Sequence, residues 1–102
     1  MPLSVALETE RGEQLASVED RANALHRLLP SGDDSSYHHL RFIDWYGDTV
    51  FNQLQMEPFL DEWARLKEVA ETTEETALVE QVAALALRCE DEPHLYLKFY
   101  GD

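Results

Sequence analysis

Large apolar residues alternate with small or polar residues at both ends of this 102-residue chain. Between Leu3 and Leu7 every second residue is large and apolar, and this period of two predicts a half-buried β-strand. The turn-forming segment 10–13 follows, so residues 14–18 are predicted to return as the second strand of a hairpin. The alternative is a helix that begins at a Ser17 cap, because apolar residues in this region also recur at helical spacing.

The middle of the chain changes pattern twice. Asp20 is a suitable N-cap for a short helix over Arg21–Leu29, and Pro30 with the polar residues after it ends that helix in a loop. Residues His39–Tyr46 are rich in aromatic and branched side chains, and Thr49–Asn52 favours β structure as well. These two segments are predicted to pair as a second hairpin.

Two amphipathic helices are predicted in the second half of the chain. Pro58 suits the first turn of a helix, where its missing N–H costs nothing. Apolar residues then recur at helical spacing at Phe59, Trp63, Leu66 and Ala70. Thr72 and Glu75 have the spacing of a capping box. The helix that follows, which runs to Cys89, is apolar over so much of its surface that we expect it to be buried.

The last residues, His94–Tyr100, alternate again and predict a terminal strand, whose edge, if uncovered, would allow a homodimer. The resulting order, ββαββααβ, predicts a single α+β domain over residues 1–102, with a mostly antiparallel sheet of about five strands and helices packed on one face. Segments 39–48 and 94–102 share an opening His-Leu and a closing Tyr-Gly-Asp. Aromatic strand ends explain this likeness, and two pseudo-symmetric strands that line one site are the alternative.

This chain is far more acidic than an average soluble domain. It has 21 acidic and 8 basic side chains and a formal net charge of -13. Nucleic acids and anionic membranes are bound chiefly by Lys and Arg, so we expect neither as a direct partner. No apolar segment is long enough to span a bilayer, the amino terminus lacks a signal pattern, and the single cysteine, Cys89, fits a reducing compartment. These features predict a cytoplasmic protein.

Candidate catalytic chemistry is sparse. His38 and His39, with Asp33 and Asp44 nearby, have the side chains for a zinc or acid–base cluster. Neighbouring residues of a strand point to opposite faces, however, so we expect ordinary surface histidines, and a metal-binding or enzymatic domain is the alternative. Cys89 is expected in the core, where burial raises the pKa of a thiol. We predict no catalytic residue, no metal and no cofactor.

The acidic residues concentrate on the predicted helices. Residues 57–92 hold eleven acids against three basic residues, which accounts for -8 of the net charge. The adjacent pairs Asp61-Glu62 and Glu74-Glu75 are expected on helix surfaces. A field of one sign accelerates association with a basic protein partner, although acidic surfaces also keep small proteins soluble. The expected partner-binding residues are the aromatic anchors Trp45, Tyr46 and Tyr100 and the acids Asp61, Glu62, Glu68 and Glu71.

Two segments carry a resemblance to known proteins. Residues 40–55, which read LRFIDWYGDTVFNQLQ, and the ending 93–102 resemble a family of small acidic bacterial proteins, over about a quarter of the chain. That family brings no established activity, so no residue roles follow from it. In size and charge the chain is also similar to the immunity proteins of bacterial toxin systems, which cover basic nuclease toxins with acidic surfaces. This similarity implies a non-enzymatic inhibitor of a basic protein.

Overall fold

The computed structural model describes residues 3–101, which form a four-stranded antiparallel sheet and three α-helices. In chain order the elements are β1 (Ser4–Thr9), β2 (Gln14–Glu19), α1 (Leu25–Leu28), β3 (Asp48–Asn52), α2 (Met56–Val69), α3 (Thr73–Asp91) and β4 (Leu95–Tyr100). The strands lie in the order β2-β1-β4-β3, and α2 and α3 pack against one face of the sheet. The predicted α+β class is confirmed, with four strands instead of about five. None of the helices in residues 3–101 is both long and apolar enough to cross a membrane.

The β1–β2 hairpin forms as the alternation predicts, so the helical alternative for this segment is wrong. Its turn closes with two backbone hydrogen bonds of 2.9 Å, from Thr9 N to Glu13 O and from Gly12 N to Thr9 O. Gly12 adopts a φ of 85°, a left-handed conformation that glycine tolerates best. The Thr9 hydroxyl also accepts the N–H groups of Arg11 and Glu13. The register pairs Val5 with Val18 and Leu7 with Ala16, which directs these four residues to the core and leaves Leu15 43% exposed.

Aromatic side chains fill the space between the sheet and α2. Phe51 of β3, Phe59 and Trp63 of α2, and Phe99 of β4 form ring contacts with centroids 5.1–6.1 Å apart. The buried Trp63 indole donates its N–H to the carbonyl oxygen of Val79 in α3, at 2.9 Å. Because such ring pairs add about 0.5–1.5 kcal/mol each beyond the burial of their area, this cluster determines how α2 sits on the sheet.

The capping box predicted at the start of α3 is confirmed, since Thr72 and Glu75 each accept the other's backbone N–H. The Glu75 carboxylate also receives two hydrogen bonds, of 2.5 and 2.6 Å, from the guanidinium of Arg27. These bonds lower the pKa of Glu75 to about 2. Glu75 is buried and links α1 to the α2–α3 turn, so its expected place on the helix surface is wrong. It lies three residues before Leu78, on the apolar stripe of α3.

The first helix is shorter than the predicted span Arg21–Leu29. Asp20 is not its N-cap residue, which is Ala24, but the Asp20 carboxylate caps the helix from further upstream by accepting the N–H groups of Ala24 and Leu25, at 2.7 and 2.8 Å. Asn23 has a φ of 55°, a left-handed conformation that a helix interior does not accommodate. A turn therefore precedes α1 and takes up the first residues of the predicted helix.

The segment 39–46 forms a loop and not the predicted strand. A single 3-10 turn over Leu40–Phe42 lies in its place. Leu40 and Ile43, three residues apart, are both buried, an arrangement that the alternation of a strand does not allow. The second predicted hairpin is therefore wrong, and β3 pairs with β4 instead.

The terminal strand β4 lies inside the sheet, bonded to β1 on one side and to β3 on the other. Its predicted alternation is confirmed, because Leu95, Leu97 and Phe99 are buried. The hypothesis of a homodimer across this strand is wrong, since β2 and β3 form the two edges of the sheet.

The two Tyr-Gly-Asp sequences meet at one end of the sheet. The Gly101 N–H donates to the carbonyl oxygen of Gly47 at 2.8 Å, next to the pairing of Asp48 with Tyr100. One sequence precedes a strand and the other ends a strand, so the two segments are not pseudo-symmetric strands. Asp102 lies outside the described residues.

Replacing Gly101 by alanine is expected to destabilise the fold. A Cβ atom at this position would overlap the backbone carbonyl oxygens of Trp45 and Asp44, which cannot rotate away. Overpacking of this kind costs about 1–3 kcal/mol of unfolding free energy, which urea unfolding measures. Gly32→Ala is the control, because a Cβ there meets only the Arg41 carbonyl oxygen, at 3.6 Å. Equal stability of the two variants would contradict the close packing of Gly101.

Candidate functional site

The loop between α1 and β3 is held to α2 by one buried carboxylate, that of Glu62. It accepts the backbone N–H groups of His38, His39 and Leu40 at 3.0–3.1 Å, and its Oε2 lies 2.9 Å from His39 Nδ1. Burial alone would raise the pKa of Glu62, but the bonds from the His39 ring and from the three amides outweigh burial and lower it. Glu62 is thus fully engaged inside the molecule. Its expected place on the helix surface, facing a partner, is wrong.

A second residue of α2, Arg65, fastens the preceding part of the same loop. Its guanidinium lies 3.9 Å from the centroid of the Tyr37 ring and donates to the carbonyl oxygen of Ser36 at 2.8 Å. Glu62 and Arg65 are three residues apart and so lie on the same side of α2. The loop therefore runs beside α2.

The aromatic side chains of this loop differ in exposure. Tyr46 is 78% exposed, as expected, and Phe42 is 61% exposed, with the Arg41 guanidinium 4.5 Å from its ring centroid. Trp45 is half-buried, because its ring packs against the core and meets the His26 ring edge-on at 5.7 Å. Tyr46 and Phe42 are therefore the exposed aromatic residues of this loop, and the Trp45 ring is only partly accessible to solvent.

Tyr100 lies on the open face of the sheet, where it is half-buried. Its phenol donates to the Glu8 carboxylate, and that bond, with burial, raises the pKa of Tyr100 to about 12. Lys98 Nζ lies 3.0 Å from the same carboxylate. Burial would raise the pKa of Glu8, but the bonds from Tyr100 and Lys98 lower it. The cluster of Glu8, Lys98 and Tyr100 is internally satisfied, so Tyr100 is a poor candidate for a free anchor.

Three of the four predicted steering acids, Asp61, Glu68 and Glu71, are exposed as expected. They lie on α2 or directly after it, in the helical layer, whereas Tyr100 lies on the opposite, open face of the sheet. One partner surface cannot contact both sides of this two-layer fold. The predicted surface therefore divides. Tyr46 is the exposed one of the three predicted anchors, and it belongs to the loop that Glu62 and Arg65 hold to α2.

The exposed side of α2 and α3 carries acids that have no cationic partner within the chain. Among residues 3–101, no basic side chain lies within 4.0 Å of the carboxylates of Glu57, Asp61, Glu68, Glu74, Glu80, Glu90 and Asp91, all of which are exposed. The buried acids differ, since each accepts hydrogen bonds from this chain's own donors. They are Glu8, Asp20, Glu62 and Glu75. The fold thus uses its buried acids and leaves these seven exposed acids unpaired, whereas the exposed Glu71 and Glu92 lie near Arg27 and Arg88.

The histidines do not form the cluster considered as the alternative. His39 contacts Glu62, whereas His38, Asp33 and Asp44 are exposed. Among residues 3–101, no group of three or more His, Cys, Asp or Glu side chains is arranged to hold a metal ion. The geometry therefore offers no support for chemistry at these four residues.

Two further reactive groups have ordinary surroundings. Cys89 is buried as predicted, and burial raises the pKa of its thiol to about 11, so it is protonated at neutral pH. A surface cleft of about 350 Å³ at the β1–β2 turn includes Thr9, Glu10 and His94 in its lining. His94 Nδ1 lies 3.4 Å from Glu10 Oε2, but the Thr9 hydroxyl is occupied by the turn. Neither group places an activated nucleophile beside a base.

No protein-family model, curated protein or solved structure matches this chain. The resemblance carried by residues 40–55 and 93–102 therefore stays a prediction.

Replacing Glu62 by glutamine is expected to lower the unfolding free energy by about 2–3 kcal/mol, because the amide removes the charge that the loop N–H groups bind. Asp61→Asn is the matched control. It removes the same charge from the neighbouring, exposed position and is expected to change stability by less than about 0.5 kcal/mol. Urea unfolding of both variants at neutral pH measures the difference.

The effect of Glu62→Gln is also expected to depend on pH, since the pKa of Glu62 in the folded state lies below its ordinary value of 4.5. A lowered pKa contributes stability above the unfolded-state value, and this contribution is lost as the pH falls through the folded-state value. The stabilities of the wild type and the variant should therefore converge in acid. A difference that stays constant down to low pH would show that the charge of Glu62 does not hold the loop.

Proposed function

We propose that this chain is a non-enzymatic binding protein that engages a basic protein partner through the exposed side of α2 and α3. Its concrete form is an immunity-type inhibitor that covers a basic protein such as a nuclease. Acids of the helices steer the partner, while Tyr46 and Phe42 of the adjoining loop supply apolar contact area.

The observation that carries the proposal is the division of the acids into two sets. Glu62 and Glu75 are buried, hydrogen-bonded and needed by the fold, whereas seven exposed acids of the helices have no cation within 4.0 Å among residues 3–101. Like charges that accumulate on one layer repel one another and destabilise the folded state. Contact with a cationic surface relieves that repulsion, so the free acids favour use by a partner.

The loop beside α2 supports the same surface. Glu62 and Arg65 hold it against the helix that carries Asp61 and Glu68. Exposed aromatic side chains next to a charged rim are typical of protein-binding surfaces, in which a few rings carry most of the binding energy. Surface charge that only keeps a protein soluble requires neither exposed aromatic residues beside it nor a partner. Measuring association with a basic protein therefore separates a role in solubility from a role in binding.

A tagged copy of this chain is expected to retain a basic protein from the cells that encode it. With that purified protein as the probe, the association rate constant is expected to fall steeply as salt rises from low to physiological concentration. Retention of no basic protein, or a rate that does not depend on salt, would contradict the proposal.

Charge reversal then locates the surface. The double variant Asp61→Lys with Glu68→Lys is expected to slow association at low salt by about tenfold or more. The double variant Glu10→Lys with Glu13→Lys makes the same change of charge on the β1–β2 turn, and a smaller effect is expected there. Equal slowing by the two double variants would show that net charge, and not the α2 surface, sets the rate.

A further inference from the structure

One edge of the sheet combines free backbone groups with exposed apolar side chains. The strand β3 pairs with β4 on one side, and on its other side no strand of residues 3–101 lies. An unpaired strand edge is a template for another strand, and proteins commonly protect it with charged residues or proline. Over Asp48–Asn52, β3 has one charged residue and no proline.

The register of the β3–β4 pair shows which backbone groups face the free edge. Gly47 and Gly101 form a hydrogen-bonded pair, through the 2.8 Å bond from Gly101 N to Gly47 O. In an antiparallel ladder, bonded and non-bonded pairs alternate, so Thr49 and Phe51 also direct their N–H and C=O groups to β4. The N–H and C=O groups of the intervening residues, such as Val50, then point outward.

The bonding of Asn52 agrees with this assignment. Its backbone N–H donates to the side chain of Gln55, at 2.8 Å, and not to β4. That bond leaves the outward N–H and C=O groups of Asp48 and Val50, with the C=O of Asn52, for another strand. These groups have the alternating spacing that an antiparallel partner strand requires.

Exposed apolar residues flank β3 at equal sequence distances from Val50, Tyr46 before the strand and Leu54 in the 3-10 turn Gln53–Gln55 after it. Tyr46 and Leu54 each lie four residues from Val50 and are 78% and 87% exposed, and Val50 itself is 48% exposed. If a second copy of β3 paired antiparallel with its Val50 opposite Val50, the Tyr46 end of each copy would lie beside the Leu54 end of the other. An isologous interface requires this kind of self-complementary pattern.

Charge restricts where a second copy can pair with this chain. With a net charge of -13, two copies repel each other over most of their surfaces. In the register centred on Val50, the single charge of the strand, on Asp48, would face the neutral Asn52 of the other copy. Like charges would therefore not meet directly across the new ladder.

We propose that β3 is a self-association surface, through which two copies of this chain pair antiparallel about Val50 and join their sheets into one. The interface of a five-residue strand is small, so the dimer forms in a concentration-dependent equilibrium with the monomer. Because both copies are anionic, added salt strengthens this association, which is the opposite of its effect on binding to a basic partner.

Sedimentation equilibrium over a concentration series tests the proposal, with Val50→Lys as the disrupting variant. Two lysines would face each other across the dimer axis, and self-association is expected to weaken by at least about tenfold. Val69→Lys is the matched control, since Val69 is similarly exposed, at 42%, but lies at the end of α2. It is expected to associate as the wild type does. Far-ultraviolet circular dichroism checks that both variants fold.

A crosslink gives a second measurement that does not depend on the lysine variant. Residues of a bonded antiparallel pair have Cα atoms about 5.5 Å apart, within the roughly 4.4–6.8 Å that a disulfide spans. Mild oxidation is expected to link Val50→Cys into a covalent dimer and to leave Val69→Cys monomeric, while the buried Cys89 does not react.

Three results would overturn the proposal. The first is a wild type that stays monomeric at every concentration and salt tested. The second is a dimer that Val50→Lys and Val69→Lys affect equally. The third is equal crosslinking of the two cysteine variants. Each leaves the proposed steering of a basic partner by the acids of α2 and α3 untouched, because those acids lie in the helical layer and Tyr46 is the one residue named in both proposed surfaces.

Discussion

Removing a carboxylate from water costs several kcal/mol unless donors replace the lost water, and this small fold buries four of them. Three of these burial sites therefore impose contacts between segments that are distant in sequence. Glu62 holds the α1–β3 loop to α2, Glu75 holds α1 to the start of α3, and Glu8 ties β1 to the end of β4. Asp20 caps α1 through two backbone N–H groups. With the aromatic cluster between α2 and the sheet, these bonds determine where the non-helical segments lie.

The buried acids are bonded within the fold, whereas most exposed acids of the helices are not. A chain with a net charge of -13 carries more carboxylates than its fold needs, and the surplus lies mainly on the helical layer. The Glu62 bonds hold the loop that carries the exposed Phe42 and Tyr46 to α2. The open face of the sheet is different, since the buried acid Glu8 is paired with Lys98 there and accepts a hydrogen bond from Tyr100. The molecule is therefore asymmetric, with free anionic groups on the helical layer and a locally satisfied cluster on the other.

Periodicity and capping predicted the hairpin, both long helices and the terminal strand, because each of these elements buries residues at its own regular spacing. The same approach failed for residues 39–46. Their aromatic and branched side chains favour a strand, but Leu40 and Ile43 reach the core from a 3-10 turn whose amides bind Glu62. β-propensity reports a fit to a half-buried surface and does not specify a sheet.

The buried carboxylates were only partly predictable. Glu62 lies three residues after Phe59 and four before Leu66, so its place on the apolar stripe of α2 could be read from the spacing. Its partners could not, because they lie 22 to 24 residues away in a loop without periodicity. The bond between Glu8 and Tyr100 spans 92 residues and depends on the β1–β4 register. The division of the predicted partner surface follows from strand order, which no local pattern encodes.

The central claim is that Glu8, Glu62 and Glu75 build the fold as ionised groups, each with a pKa below the ordinary glutamate value. A titration of the side-chain carboxyl carbons by nuclear magnetic resonance tests it most directly. The account predicts that Glu8, Glu62 and Glu75 each titrate below 4.5, the ordinary glutamate value, and that the resonance of the Leu40 amide follows the titration of Glu62. Titration of these carboxylates at or above 4.5, with a Leu40 amide that does not respond, would contradict it.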